Sequence, residues 1–136
     1  MNRRDFFALT GAAAVTLPMP AWASLEYRDG LVKQHLAKGE TVFVDFKASW
    51  CSTCAAQERV INALKKENPA YEKSVTFIDV DWDNYGNSAL ARELNIPRRS
   101  TLVVLRGDQE LGRIVAGTSK KDIKALMDTA LAAATA

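Results

Sequence analysis

Histidine occurs once and cysteine twice in 136 residues, so one chain cannot supply the four ligands of a closed tetrahedral zinc site, and a multi-disulfide scaffold is excluded too. The cysteines are either a single bridge or a reactive pair. Proline and glycine are scarce, at four and seven, which excludes collagen-like and low-complexity chains. With 48% hydrophobic and 25% charged residues the chain is neither disordered nor membrane-spanning throughout, and its length fits one domain. No run of five or more like charges occurs and the net charge is +2, so nothing marks a patch for nucleic acid or for a membrane surface. A small soluble partner or another protein remains.

Residues 1–23 differ in composition from the rest. Asn2-Arg3-Arg4-Asp5-Phe6-Phe7 leads into an apolar stretch of about a dozen residues, then Pro18 and the small-x-small sequence Ala21-Trp22-Ala23. These are the three parts of a signal peptide, and the apolar part is well short of the ~20 residues that span a bilayer. Cleavage after Ala23 is predicted, leaving 24–136 as the folded domain with no stable membrane insertion. The paired arginines followed by Phe6 resemble the twin-arginine export signal, a route for folded proteins, with Asn2 and Phe7-Ala8 departing from its less demanding positions.

Beyond the leader, hydrophobic periodicity predicts a short helix over 29–38 closed by Gly39, and a nearly all-apolar strand over 41–46 of the kind covered on both faces. A helix over 55–67 stops before Asn68-Pro69, and a second strand covers 75–80. A helix over 88–94, strands over 101–105 and 110–115 joined through Gly107-Asp108, and a final helix capped by Ser119 complete the order. Strands separated by helices pair in parallel, and the short Gly-Asp link makes one antiparallel pair, so an α/β fold with a mixed four-stranded sheet and helices on both faces is expected. His35 reads as a partly buried surface histidine. Asp79-Val80-Asp81-Trp82-Asp83 fails the calcium-loop pattern, since Asn84 and Leu90 stand where glycine and glutamate belong.

The chemistry lies in Trp50-Cys51-Ser52-Thr53-Cys54. A strand running into Cys-x-x-Cys with a helix starting there puts Cys51 at the helix N-terminus, where free amides and the helix dipole favour a thiolate. Cys51 is the expected nucleophile, more acidic and more exposed than Cys54, which would resolve the mixed disulfide. A structural staple is the weaker alternative, because so small a loop removes little chain entropy. Asp45, on the strand before the motif, shares a strand face with Lys47, and simple pairing of the two is one reading of it.

The run from Val42 to Cys54, with Asp45, Trp50, Cys51 and Cys54 in place, resembles the thioredoxin superfamily, as do Thr101-Leu102-Val103-Val104-Leu105 and Ala116-Gly117-Thr118-Ser119-Lys120. The resemblance covers nearly the whole of 24–136. It implies the thioredoxin fold, thiol-disulfide exchange through Cys51 and Cys54 without a cofactor or metal, proton transfer to and from Cys54 by Asp45, and a substrate groove at Trp50, Ser100, Thr101 and Gly117. Two departures stand out. Ser52-Thr53 matches neither the Gly-Pro of general thioredoxins nor the Pro-His of strong oxidants, and Ser100 occupies the place of the family's cis-proline. The Arg99-Ser100 bond is then trans or strained, and a proline at residue 100 should be accommodated. A three-residue shift restoring Pro97 to that place is the alternative.

The leading expectation is a periplasmic thiol-disulfide oxidoreductase acting on protein disulfides or thiols, monomeric, with reductase favoured because the segment between the second and third strands leaves no room for the helical domain that oxidants insert. A reductase in an oxidising compartment implies a membrane-bound thiol electron donor. The alternatives are a dimeric iron-sulfur or metal-binding protein in which two chains share four thiolates, and a redox-inactive peptide-binding module using the same groove.

Overall fold

The computed structural model describes residues 24–136; the leader and its cleavage site lie outside them. The described elements are β1 (Leu25–Glu26), α1 (Leu31–Ala37), β2 (Thr41–Lys47), α2 (Ser52–Glu67), α3 (Ala70–Ser74), β3 (Thr76–Asp81), α4 (Trp82–Tyr85), α5 (Ala89–Glu93), β4 (Thr101–Arg106), β5 (Gln109–Val115) and α6 (Lys120–Ala134). The sheet runs β1-β3-β2-β4-β5. It has five strands where four were expected. The extra strand, β1, is two exposed residues with no alternating pattern, held only by parallel pairing of Leu25 with Ile78 and Glu26 with Asp79. β2 and β3 are parallel, with Asp45 beside Asp79, while β4 lies antiparallel to β2 and β5 antiparallel to β4.

Alternation along β2 divides the core in two, because successive side chains point to opposite faces. Val42, Val44 and Phe46 join Val32, Ile78, Leu90 and Val103 under α1 and α5. Phe43 faces the other way, with Ile61, Leu64, Leu102, Ile123 and Met127 under α2 and α6. Asp45 and Lys47 therefore fall on the α2 side, a carboxylate and an ammonium in line with Phe43. The sheet delivers the end of β2, the start of α2 and the entry to β4 to one edge of the molecule, since Phe46 pairs with Thr101.

Candidate active site

α2 begins at Ser52, three residues before the helix expected from periodicity, because Cys51 itself is the N-cap: its sulfur accepts the Cys54 amide at 3.1 Å. A sulfur there takes the place of the usual capping oxygen and lies at the positive end of a helix of 16 residues. Both cysteines are free thiols, and both are buried, at 4% and 2% exposure. Exposure thus does not distinguish them as expected. Hydrogen bonding does. Burial pushes the Cys51 thiol up, but the Cys54 thiol, the Ser100 hydroxyl, the Cys54 amide and the Arg99 side chain together bring it down to about 7. Burial, followed by the neighbouring Cys51, pushes Cys54 up. A four-thiolate site shared by two chains would need both sulfurs brought to the surface. Among the described residues no three acidic, His or Cys side chains gather into a metal-holding cluster.

Ser100 closes over the pair. Its Oγ lies 3.2 Å from Cys51 Sγ and 3.0 Å from Cys54 Sγ, and the residue is fully buried. All described peptide bonds are trans, Pro97 included, and Ser100 instead has a left-handed backbone at φ 66°. Such a conformation costs a serine about 1–2 kcal/mol, and the surroundings enforce it. Ser100 N donates to Phe46 O at 2.7 Å, and its carbonyl accepts Ala116 N at 2.8 Å and Gln57 Nε2 at 3.0 Å. Proline at residue 100 would therefore not be accommodated as expected: its ring fixes φ near −65° and removes the donor to Phe46.

Gln57 escaped the sequence reading. It is fully buried on α2, and its amide also donates to Gly117 O at 2.9 Å, tying the loop after β5 to Ser100. The signal was its spacing: Gln57 shares a helix face with Ile61 and Leu64, so it is a polar residue within an apolar stripe. A side chain at Gly117 would meet Ile114 at 2.9 Å. Thr101, expected on the groove, is fully buried, its hydroxyl donating to Arg98 O at 2.7 Å.

Trp50 is the surface feature of the site, 60% exposed but fixed. Its Nε1 donates to both Asp83 oxygens, at 3.1 and 3.0 Å, and the Arg99 guanidinium stacks 4.4 Å from its ring centroid. Arg99 also went unnoticed in the sequence; its position directly before Ser100 was the clue. The acidic run divides into separate tasks. Asp81 caps α4, Asp83 holds Trp50, and Asp79 lies 3.6 Å from Lys47. His35 pairs with Glu40 at 2.7 Å.

Asp45 is not bonded to Lys47, whose ammonium goes to Glu58 at 3.1 Å and to Asp79. Its Oδ1 is buried without a hydrogen-bond partner. The carboxyl borders a cavity of about 20 Å³ lined also by Lys47, Glu58, Lys65 and Asp79, room for about one water molecule. Burial first, and the Asp79 carboxylate second, push its pKa up to about 8, against the opposing pull of Lys47.

Residues 25–129 match the Thioredoxin family model. The chain belongs to the thioredoxin family. Thioredoxin H2-1 of Oryza sativa subsp. japonica is 34% identical over 101 residues, 74% of this chain and 68% of that protein. Among solved structures, Trxlp from Edwardsiella tarda EIB202 is 33% identical with a TM-score of 0.63, covering 77% of this chain and 96% of that one. Schistosoma mansoni thioredoxin is 25% identical with a TM-score of 0.61, covering 76% and 92%. Like other thioredoxins, the protein is a thiol-disulfide oxidoreductase with Cys51 and Cys54 as its Cys-x-x-Cys centre.

Proposed function

We propose that this thioredoxin is exported to the periplasm, is cut after Ala23, and works there as a monomeric reductase of protein disulfides. The observation that carries the exchange chemistry is the Cys51 sulfur at the α2 N-cap, hydrogen-bonded by the Cys54 amide and by Ser100. Cys51 thiolate attacks one substrate sulfur, a Cys51–substrate disulfide forms, and the second substrate sulfur leaves with the bonding electron pair and takes a proton. Cys54 then attacks Cys51, its proton leaves, and the remaining substrate sulfur departs as a thiol. The substrate gains two electrons and two protons as the Cys51–Cys54 bridge closes. Regeneration needs two electrons from a donor, which in an oxidising compartment is a membrane-bound thiol carrier. The reductase direction is supported by the connection from β3 to β4, which holds only the short α4 and α5. Asp45, with its raised pKa, is suited to exchange a proton with the buried dithiol near neutrality.

The test is substrate trapping. A Cys54→Ala variant expressed with its own leader should accumulate mixed disulfides through Cys51 in the periplasmic fraction, on a chain whose N-terminus is Ser24, and Cys51→Ser should trap nothing. Trapped partners confined to the cytoplasm, or trapping that survives Cys51→Ser, would overturn the reading.

A further inference from the structure

We propose that the Ser100 hydroxyl is itself a catalytic residue of the exchange reaction, a relay that holds the Cys51 thiolate and carries the proton away from Cys54 as that thiol resolves the mixed disulfide. This deepens the exchange reading and rests on it. One hydroxyl oxygen lies within hydrogen-bonding distance of both reacting sulfurs, 3.2 Å from Cys51 and 3.0 Å from Cys54, in a fully buried position. A serine has one proton to give and lone pairs to receive with. When Cys51 is a thiolate and Cys54 a thiol, both the Ser100 O–H and the Cys54 S–H can donate to the Cys51 sulfur; in the polarity the relay uses, Ser100 O–H donates to Cys51 and the Cys54 S–H turns to the Ser100 oxygen. Charge-assisted donation to a thiolate is the stronger of the hydroxyl's two bonds, so it fixes the direction of the hydroxyl.

The same geometry serves the second step. Once Cys51 has formed the mixed disulfide its sulfur carries no charge, and the Ser100 proton is no longer held there. Cys54 passes its proton to the Ser100 oxygen as its sulfur attacks Cys51. The departing substrate sulfur lies opposite Cys54, one disulfide bond of about 2.05 Å beyond Cys51 and out of direct reach of the hydroxyl, so Ser100 passes its own proton to that sulfur through one intervening water. The Cys54–Cys51 bond forms, the Cys51–substrate bond breaks with its electron pair going to the substrate, and the hydroxyl is regenerated. No co-reactant is consumed.

Two features make this an arranged site. Ser100 retains a left-handed backbone that serine disfavours, and three hydrogen bonds of its own backbone, donated to Phe46 O and accepted from Ala116 N and Gln57 Nε2, fix it there. Asp45, the other proton-exchanging group, has no hydrogen bond to either sulfur among the described residues; its Oδ1 is buried without a partner, and the residue lines the cavity with Lys47, Glu58 and Asp79. Ser100 is the group in contact with Cys54, and Asp45 acts at longer range.

Ser100→Gly removes the hydroxyl while suiting the backbone, since glycine adopts φ near +66° readily; Ser100→Ala is the second variant should the glycine protein not fold. The reaction to follow is single-turnover reduction of a linear alkyl disulfide peptide, with the mixed disulfide counted by mass after acid quench. At pH 7 its decay should slow roughly ten- to a hundredfold, the deficit should shrink as pH rises until Cys54 ionises unaided, and Cys51 alkylation should shift to higher pH. A folded variant that resolves at the wild-type rate, or one slowed equally at every pH, would overturn the relay. Loss of all exchange in Cys51→Ser alongside either result leaves the oxidoreductase reading standing, so the two failures are separable.

Discussion

Arg99 puts a permanent positive charge at the lip of the dithiol, stacked on Trp50 and next to Ser100 in the chain. A guanidinium this close favours Cys51 thiolate over thiol. Arg99→Gln should therefore move Cys51 alkylation upward from about 7 and slow attack on disulfides at pH 7, with Arg99→Lys intermediate because the ammonium keeps charge but loses the planar stack. An unchanged alkylation profile in Arg99→Gln would confine Arg99 to packing on Trp50. The reactive pair itself was legible from residues, since Cys-x-x-Cys after an apolar strand fixes a helix N-terminus. The resemblance, which places Ser100 where the family has its cis-proline, also put that residue beside the pair. What the sequence did not carry is the backbone of Ser100. A positive φ at serine comes from Phe46 of β2, Gln57 of α2 and Ala116 of the loop after β5 closing on it, and no local pattern encodes that.

Among the elements, those with a long apolar stripe were readable and those held by backbone pairing or by a cap were not. α2 and α6 show the helical repeat and β2 its apolar run. β1 is legible only through its pairing with β3, and α3 begins directly after Pro69, the residue that reads as a stop but serves here as the N-cap. The helix start moved to Ser52 because a cysteine did the capping. α2 does more than position the sulfurs, because Gln57 fastens it to Ser100 O and Gly117 O. Gln57→Leu keeps the bulk and removes both donors. It should lower stability by about 1–3 kcal/mol, the loss of two hydrogen bonds worth about 0.5–1.5 kcal/mol each, and should raise the pH of Cys51 alkylation as Ser100 loosens. Thermal unfolding and alkylation rates read the two effects separately. A variant as stable as wild type with unaltered thiol titration would show that the loop holds Ser100 without α2.

At the scale of the whole molecule, the two hydrophobic halves meet at a sheet whose α2-facing side carries a buried carboxyl. Asp45 ionises near 3.9 in an unfolded chain but near 8 in the fold, raised by burial and by Asp79. Between those values the unfolded state has released a proton that the native state retains. Stability then falls as pH rises, because the slope follows the protons bound by the unfolded chain minus those bound by the native one. The contribution is fully present below about pH 4 and is lost as pH climbs through about 8, with a span on the order of 5 kcal/mol. Cys51 runs the opposite way over a narrower window, since its folded pKa lies below the unfolded one. The difference between wild type and Asp45→Asn cancels it. Denaturant unfolding at pH 4, 6 and 8 should show Asp45→Asn gaining on wild type at each step, and at pH 8 exceeding it. A difference that stays flat from pH 4 to 8 would mean that Asp45 is charged in the fold throughout, which would remove it from proton exchange and leave Ser100 alone with the Cys54 proton.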